Sequence, residues 1–362
     1  MANATVVVTL SSFDINIPDE NFTHVNASTH KKYLGVIVLQ NVITVMGLLA
    51  NIITAITLVL NGKEFPRLTR ILFIQQALLD SLVCLLAIIL YSQRFMWMTG
   101  NATFDLLLCQ VWHGQGIYWI VFQLSIWNLM LIAIERFLKI DRPFTHLNMR
   151  PNHIYLVLIV MFLFNIIIYI PAYLQTKYDE KTGECYGKYY FDTKAFTYFM
   201  SFIGLLYFGL LYAFPAASFI VLYTKIVITL RRRHKLIKNM CQPSSIVDNA
   251  EQQLTRTAIA VTIVFILSLS WDLWCYVLAR FGVMHYEKDT WQSIVGVFLA
   301  TFNSCANPFI YLGVLPIFRQ SLEYTFKCTL QRKHIHFVQS GSSKSIKSNQ
   351  SRQETGSVRK AI

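Results

Sequence analysis

Seven long, mostly apolar stretches divide the chain, at 34–60, 71–92, 108–137, 154–174, 197–229, 256–281 and 291–315. A helix of about 20 apolar residues crosses the hydrocarbon core of a bilayer, so the pattern predicts seven membrane-spanning helices. The third, fifth and sixth stretches exceed that minimum by a turn or more and are expected to tilt or to project beyond the membrane. Almost every residue between Tyr33 and Leu315 is used in crossing, which leaves no room for a soluble catalytic domain. The predicted fold is an all-α membrane protein, a seven-transmembrane helix bundle over 33–315. A tail over 1–32 precedes it, and a short amphipathic helix on the membrane surface over 316–330 and a tail over 331–362 follow.

Polar residues inside the spans change this picture from a plain bundle to one with an inner chemistry. Asn303-Ser304-Cys305-Ala306-Asn307-Pro308-Phe309-Ile310-Tyr311 packs two amides, a hydroxyl, a helix-breaking proline and a phenol into the last span. Each unsatisfied polar atom in lipid costs several kcal/mol, so these groups must face other helices or water. Asp80 is the only acid at mid-depth of the second span, and an ionisable residue there points to a functional site. Asn51, Ser125, Asn303, Ser304 and Asn307 lie at similar depth in their own spans. A carboxylate ringed by hydroxyl and amide oxygens suits a small hard cation. Sodium is one occupant and a proton the other, and the expected sodium ligands are Asp80, Ser125, Asn303 and Asn307.

Composition agrees: the chain is 54% hydrophobic and 14% charged, which is membrane composition. With the amino terminus outside, the inner segments hold 23 of the 32 Lys and Arg, as cytoplasmic loops do. The net charge of +13 therefore reflects topology, and nucleic acid is not an expected partner. Asn3, Asn21 and Asn26 open glycosylation sequons before the first span, and Asn101 opens another in the next outer loop. No basic-then-apolar leader precedes the first span. Cys109 starts the third span on the outer side and Cys185 lies in the loop between the fourth and fifth. Both face an oxidising space, which predicts a bridge between them. Cys84, Cys275 and Cys305 are intramembrane, and Cys241 and Cys328 face the cytosol.

At the inner end of the third span stands Glu135-Arg136. Glu251, Thr255 and Arg256 open the sixth span at the same face, and Tyr223 is near the inner end of the fifth. Arg136 held by both Glu135 and Glu251 is expected to clamp the third helix to the sixth, and release of that clamp to open a cytoplasmic cleft.

These pieces together resemble the rhodopsin-like G-protein-coupled receptors over about residues 33–330. The match runs through Gly47-Leu48-Leu49-Ala50-Asn51, Leu79-Asp80, Ser125 and Ile132-Ala133-Ile134-Glu135-Arg136-Phe137 with Pro143. It continues through Phe214-Pro215 with Tyr223, Glu251 with Thr255-Arg256 and Phe265, the Asn303–Tyr311 run, and Phe318-Arg319. The resemblance implies a plasma-membrane receptor with its amino terminus outside. It would activate a heterotrimeric G protein by outward movement of the sixth helix, with Glu135, Arg136, Tyr223, Glu251, Asn307, Pro308 and Tyr311 as its switch. Three departures stand out. Cys109 is 27 residues before Arg136, two more than usual, which implies a bulge or a longer start. The fourth span lacks the usual tryptophan. In the sixth, aligned without a gap, Leu269 takes the tryptophan position and Trp271 that of the proline; a shift of two residues makes Trp271 the tryptophan, and neither alignment supplies the proline.

The outer half is expected to hold a ligand pocket between helices, with Gln115, Tyr118, Trp119, Asp272, Trp274 and Arg280 as candidate contacts. Tyr118 stands where the amine receptors of the family carry Asp, which argues against a biogenic amine. Asp272 suits a cationic ligand group and Arg280 an anionic one, and either also reads as a solvated rim charge. The loop around Cys185 is long and mixed in charge, and Tyr186-Gly187-Lys188-Tyr189-Tyr190 favours strand and turn. A hairpin lid of this kind resembles those of peptide-binding members. Cys328 is placed for palmitoylation, and the Ser-rich tail for phosphorylation and an arrestin-like partner. The sequence holds no catalytic constellation, so an enzyme is not expected. Two rivals are a secondary transporter, against which the lack of an internal repeat counts, and a receptor-like decoy that binds without signalling.

Overall fold

A computed structural model describes residues 22–62, 65–92, 99–113, 115–147, 151–173, 176–180, 184–187, 194–239, 246–280, 283–284, 290–325 and 327. Seven helical segments in it are long and apolar enough to cross a membrane. The elements, in chain order, are α1 (Phe22–Asn61), α2 (Arg67–Ser92), α3 (Ala102–Leu107), a π-helical stretch (Leu108–His113), α4 (Gly116–Asp141), α5 (Pro143–Leu147) and α6 (Pro151–Tyr173). There follow β1 (Thr176–Asp179), β2 (Glu184–Gly187), α7 (Lys194–Tyr207), a second π-helical stretch (Phe208–Ala213), α8 (Phe214–Asn239), α9 (Ile246–Arg280) and α10 (Trp291–Val314). A last helix, α11, covers 316–325.

Around the bundle, α1 packs on α2 and α10, α2 on α4, and α9 on α10, while α4 also meets α6 and α8. The third span (α3, π stretch and α4) is the most buried and the fourth (α6) the least. The seventh and second spans are next in burial, and the polar residues collect on these three. The apolar core joins Leu72, Phe122, Ile126, Phe219, Ile226 and Phe265, all fully buried, from four helices.

Several boundaries differ from the hydropathy pattern. α1 begins at Phe22 and not near residue 33, because no glycine or proline interrupts 22–34. α9 likewise starts at Ile246, ahead of the apolar stretch. Hydropathy marks where lipid covers a helix, not where its backbone hydrogen bonds stop. The predicted hairpin exists, but its strands are Thr176–Asp179 and Glu184–Gly187, antiparallel, with Tyr178 opposite Cys185. Residues 188–190 lie outside those described.

Two prolines shape the helices they interrupt. Pro215 has no N–H to give Leu211, four residues back, and the π-helical stretch Phe208–Ala213 sits across that gap. Gln123 of α4 donates its Nε2 to the freed Leu211 carbonyl at 3.4 Å. Pro308 leaves the Ser304 carbonyl free in the same way, and Asn51 of α1 donates its Nδ2 to it at 3.0 Å. Each broken rung thus becomes an inter-helix bond.

Candidate functional site

Three polar assemblies lie along the bundle: a lid anchor at the hairpin end, a core around Asp80, and an Arg136 cluster at the opposite end.

At the core, α2, α4 and α10 converge on one carboxylate. Ser125 donates Oγ to Asp80 Oδ1 at 2.7 Å; Asn307 Nδ2 and Gln76 Nε2 donate to Oδ2 at 2.7 and 3.0 Å. Gln76 also donates to Ser125 Oγ at 2.6 Å and accepts from Asn128 Nδ2 at 2.9 Å. Every member is fully buried. Gln76 was no predicted member, although its place one helical turn before Asp80 puts it on the same face. Asn303 is buried beside them, but neither of its side-chain atoms has a partner. Asn51 Oδ1 and Asn307 Oδ1 are also buried and unpartnered. Buried oxygens without donors mark room for water or a cation.

At the far end Arg136 is completely buried. Its Nε donates to Glu135 Oε2 at 2.5 Å and its Nη2 to Thr69 Oγ1. Thr69 in turn donates to Glu135 Oε1 at 3.1 Å, and His146 Nε2 lies 3.1 Å from that same oxygen. Among the described side chains the clamp joins α4 to α2 and α5; the Glu251 side chain, the partner expected on α9, lies outside those described. Thr69 and His146 carry no signal that would have singled them out in the sequence. Tyr223 stacks on Phe219 and accepts from Thr262 at 3.4 Å. Tyr311 sits edge-on between Phe73 and Phe318 with its hydroxyl unpartnered. Both phenols face one small cavity, between α2, α4, α8, α9 and α10.

The proposed ligand contacts divide. Tyr118 is fully buried and stacked on Phe122, and its hydroxyl lies 2.9 Å from Thr301 Oγ1. Thr301 gives its own proton to the Val297 carbonyl at 2.8 Å, so Tyr118 is the donor. It ties α4 to α10. Half-buried Trp119 meets it edge-on. Gln115 opens α4 in the left-handed region, φ 60°, just past the π stretch. The π stretch Leu108–His113 is a bulge in the outer part of the third span. Asp272 is half-buried against Gly296, where a Cβ would overlap its Oδ1. Trp274 is half-exposed beside Phe208. The Arg280 side chain lies outside those described. In α9, Leu269 is in the core, while Trp271 donates Nε1 to Gln292 O at 3.1 Å and packs on Trp291. Leu269 thus holds the buried position and Trp271 looks toward α10.

At the hairpin end, Cys109 and Cys185 are disulfide-bonded, with Cα atoms 5.5 Å apart. A second anchor was not foreseen. Asp105, buried, accepts from Thr99 N at 2.8 Å, Thr99 Oγ1 at 2.9 Å and Gly100 N at 3.0 Å, and also from the Tyr178 hydroxyl of β1. Partial burial and the Asp105 carboxylate push the Tyr178 phenol above its ordinary range. Asn101 is exposed and caps α3, accepting from Thr103 N and Phe104 N. Asn3, Asn21 and Cys328 lie outside the described residues, as does the side chain of Asn26.

Comparison with known proteins adds two findings. The model of the family described as 7 transmembrane receptor (rhodopsin family) matches residues 50–311. Among curated proteins, the chain is 24% identical to neuropeptide Y receptor type 6 of Mus musculus, over 76% of this chain and 76% of that protein. It is 24% identical to neuropeptide Y receptor type 6 of Oryctolagus cuniculus, over 62% of each.

Proposed function

Because the chain belongs to the rhodopsin family of seven-transmembrane receptors, and so is a receptor and not an enzyme, we propose that it binds an extracellular peptide and passes the signal to a heterotrimeric G protein. The step we propose is outward movement of the Ile246 end of α9, which opens a cleft beside Arg136. The observation that carries this reading is the complete burial of Arg136. A guanidinium excluded from water is held only while its partners stay in place. Glu135 and Thr69, two of the side chains that hold it, are each a single group, so a modest shift of helices exchanges them. Such an arrangement supports a two-position element better than a permanent brace.

Peptide recognition is supported by the names of the relatives, both neuropeptide receptors, and by a hairpin fixed to the third span at two points. Asp272 is the proposed seat for a cationic ligand group and Arg280 for an anionic one, with Gln115, Tyr118, Trp119 and Trp274 as the other proposed contacts. A bound peptide shifts the balance only by preferring one shape. The unpartnered oxygens beside Asp80 fit a small hard cation. Asp80, Ser125, Asn303 and Asn307 would hold a sodium ion there, whose charge offsets that of a buried carboxylate. We place the amino terminus outside the plasma membrane and the Ser-rich tail inside, where its phosphorylated form would meet an arrestin-like partner. Asn3, Asn21, Asn26 and Asn101 would carry glycans and Cys328 a palmitate.

The experiment is nucleotide exchange on purified G proteins by the full chain in lipid discs, screened against a peptide library. A peptide that drives exchange through the wild type, binds Arg136→Ala equally well and drives no exchange through it bears the reading out. Ligand-driven exchange that survives Arg136→Ala overturns the switch. Binding without exchange in the wild type means a decoy, and ligand-driven uptake into liposomes means a transporter.

A further inference from the structure

Outside the three assemblies, one pair of reactive side chains meets in the bundle. Cys84 of α2 and Cys305 of α10 bring their sulfurs within 3.7 Å, and both are buried and free. Cys84 lies one helical turn beyond Asp80, and Cys305 two residues before Asn307. Gly47 of α1 backs Cys305 so closely that a Cβ there would overlap the sulfur and stand 3.0 Å from the Cys305 Cα. The sulfur has no space to retreat toward α1 and is held facing Cys84.

We infer that Cys84 and Cys305 form a dithiol site at which hydrogen peroxide makes a disulfide joining α2 to α10. One thiol takes an oxygen atom from the peroxide, giving a sulfenic acid and releasing water. The other sulfur attacks it, the S–O bond breaks, and a second water leaves with the remaining proton. Two thiols and one peroxide thus become one disulfide and two waters. A disulfide needs sulfurs about 2.0 Å apart, so the pair must close by roughly 1.7 Å, within reach of side-chain rotation and a small helix shift. Burial slows the first oxidation, because attack needs an exposed thiolate. Contact speeds the second, and the same burial shields the product from thiol reductants. The result is a slowly acquired, persistent bond beside the Asn307–Asp80 contact, holding α10 to α2.

The test exposes the full chain in native membranes to hydrogen peroxide, denatures it in maleimide, digests it and reads the unreduced peptides by mass spectrometry. The expected product is a linked peptide containing Cys84 and Cys305, absent from Cys84→Ser and from Cys305→Ser. Peroxide should also raise the apparent Tm of the wild type by about 5 °C and leave both variants unchanged. If a variant fails to reach the membrane, the wild-type peptide readout decides alone. Maleimide on both residues after peroxide, or a sulfinic acid on either without linkage, overturns the proposal.

Discussion

Replacing Asp80 separates the charge of its carboxyl from its shape. In Asp80→Ala, the Nδ2 of Asn307 and the Nε2 of Gln76 lose an acceptor at 2.7 and 3.0 Å. Ser125 is less affected, since its hydroxyl can rotate to another acceptor. Two orphaned buried N–H groups at about 1–3 kcal/mol each total on the order of 4 kcal/mol. At 2–4 °C per kcal/mol, a scale taken from soluble domains, that is a fall of roughly 10 °C in Tm. Asp80→Asn differs. Its oxygen can take the Oδ2 place and keep both amide donors, and its NH2 can donate to Ser125 Oγ. Removing a buried charge while keeping its hydrogen bonds costs little, about 0–1 kcal/mol. The assay is thermal unfolding of the solubilised chain, followed with a dye that reports newly exposed thiols, in sodium and in choline chloride. Wild type should melt higher in sodium and neither variant should respond. Asp80→Asn falling as far as Asp80→Ala would refute the reasoning, because the charge and not the hydrogen-bond set would then be holding the core. So would Asp80→Ala melting with wild type.

Gln76→Leu should lower Tm by about 5 °C, since it strips one donor from Asp80 and one acceptor from Asn128 while filling similar volume; no change would remove Gln76 from the network. Tyr178→Phe should loosen the lid without breaking the disulfide, read as faster hydrogen exchange in 176–187. The wild-type contact carries its own pH signature. A phenol whose folded value is raised contributes fully below its unfolded value and loses that contribution as pH climbs past it. Lid protection, the exchange rate divided into that of the unfolded peptide at the same pH, should therefore be flat from neutral pH to about 10 and fall above it, with no such step in Tyr178→Phe. Gly296→Ala should push the Asp272 carboxylate aside and weaken a cationic peptide by about 10–100-fold, with surface expression retained; unchanged affinity would take Asp272 out of the pocket.

Sequence alone determined the number of spans and the residues whose chemistry lipid cannot accept, because both follow from the fixed cost of placing polar groups in hydrocarbon. Asp80, Ser125 and Asn307 were legible on that ground, and so was the Cys109–Cys185 bridge, from the compartment its two ends face. The break at Pro308 was legible too, since a proline cannot donate. What the sequence left open was which side chain receives each liberated carbonyl: Gln123 for Leu211, Asn51 for Ser304. It also left open that Arg136 turns to Thr69 of α2, that Tyr118 is sealed against Thr301, and that Cys84 faces Cys305. These pairings join residues far apart in the chain, and the rotation of each helix about its own axis decides them. Hydropathy fixes that a segment crosses the membrane, but its rotation is set only when all seven helices pack together. With an apolar solvent outside and apolar packing inside, the burial of apolar surface does not orient a helix; the mutual satisfaction of its few polar groups does.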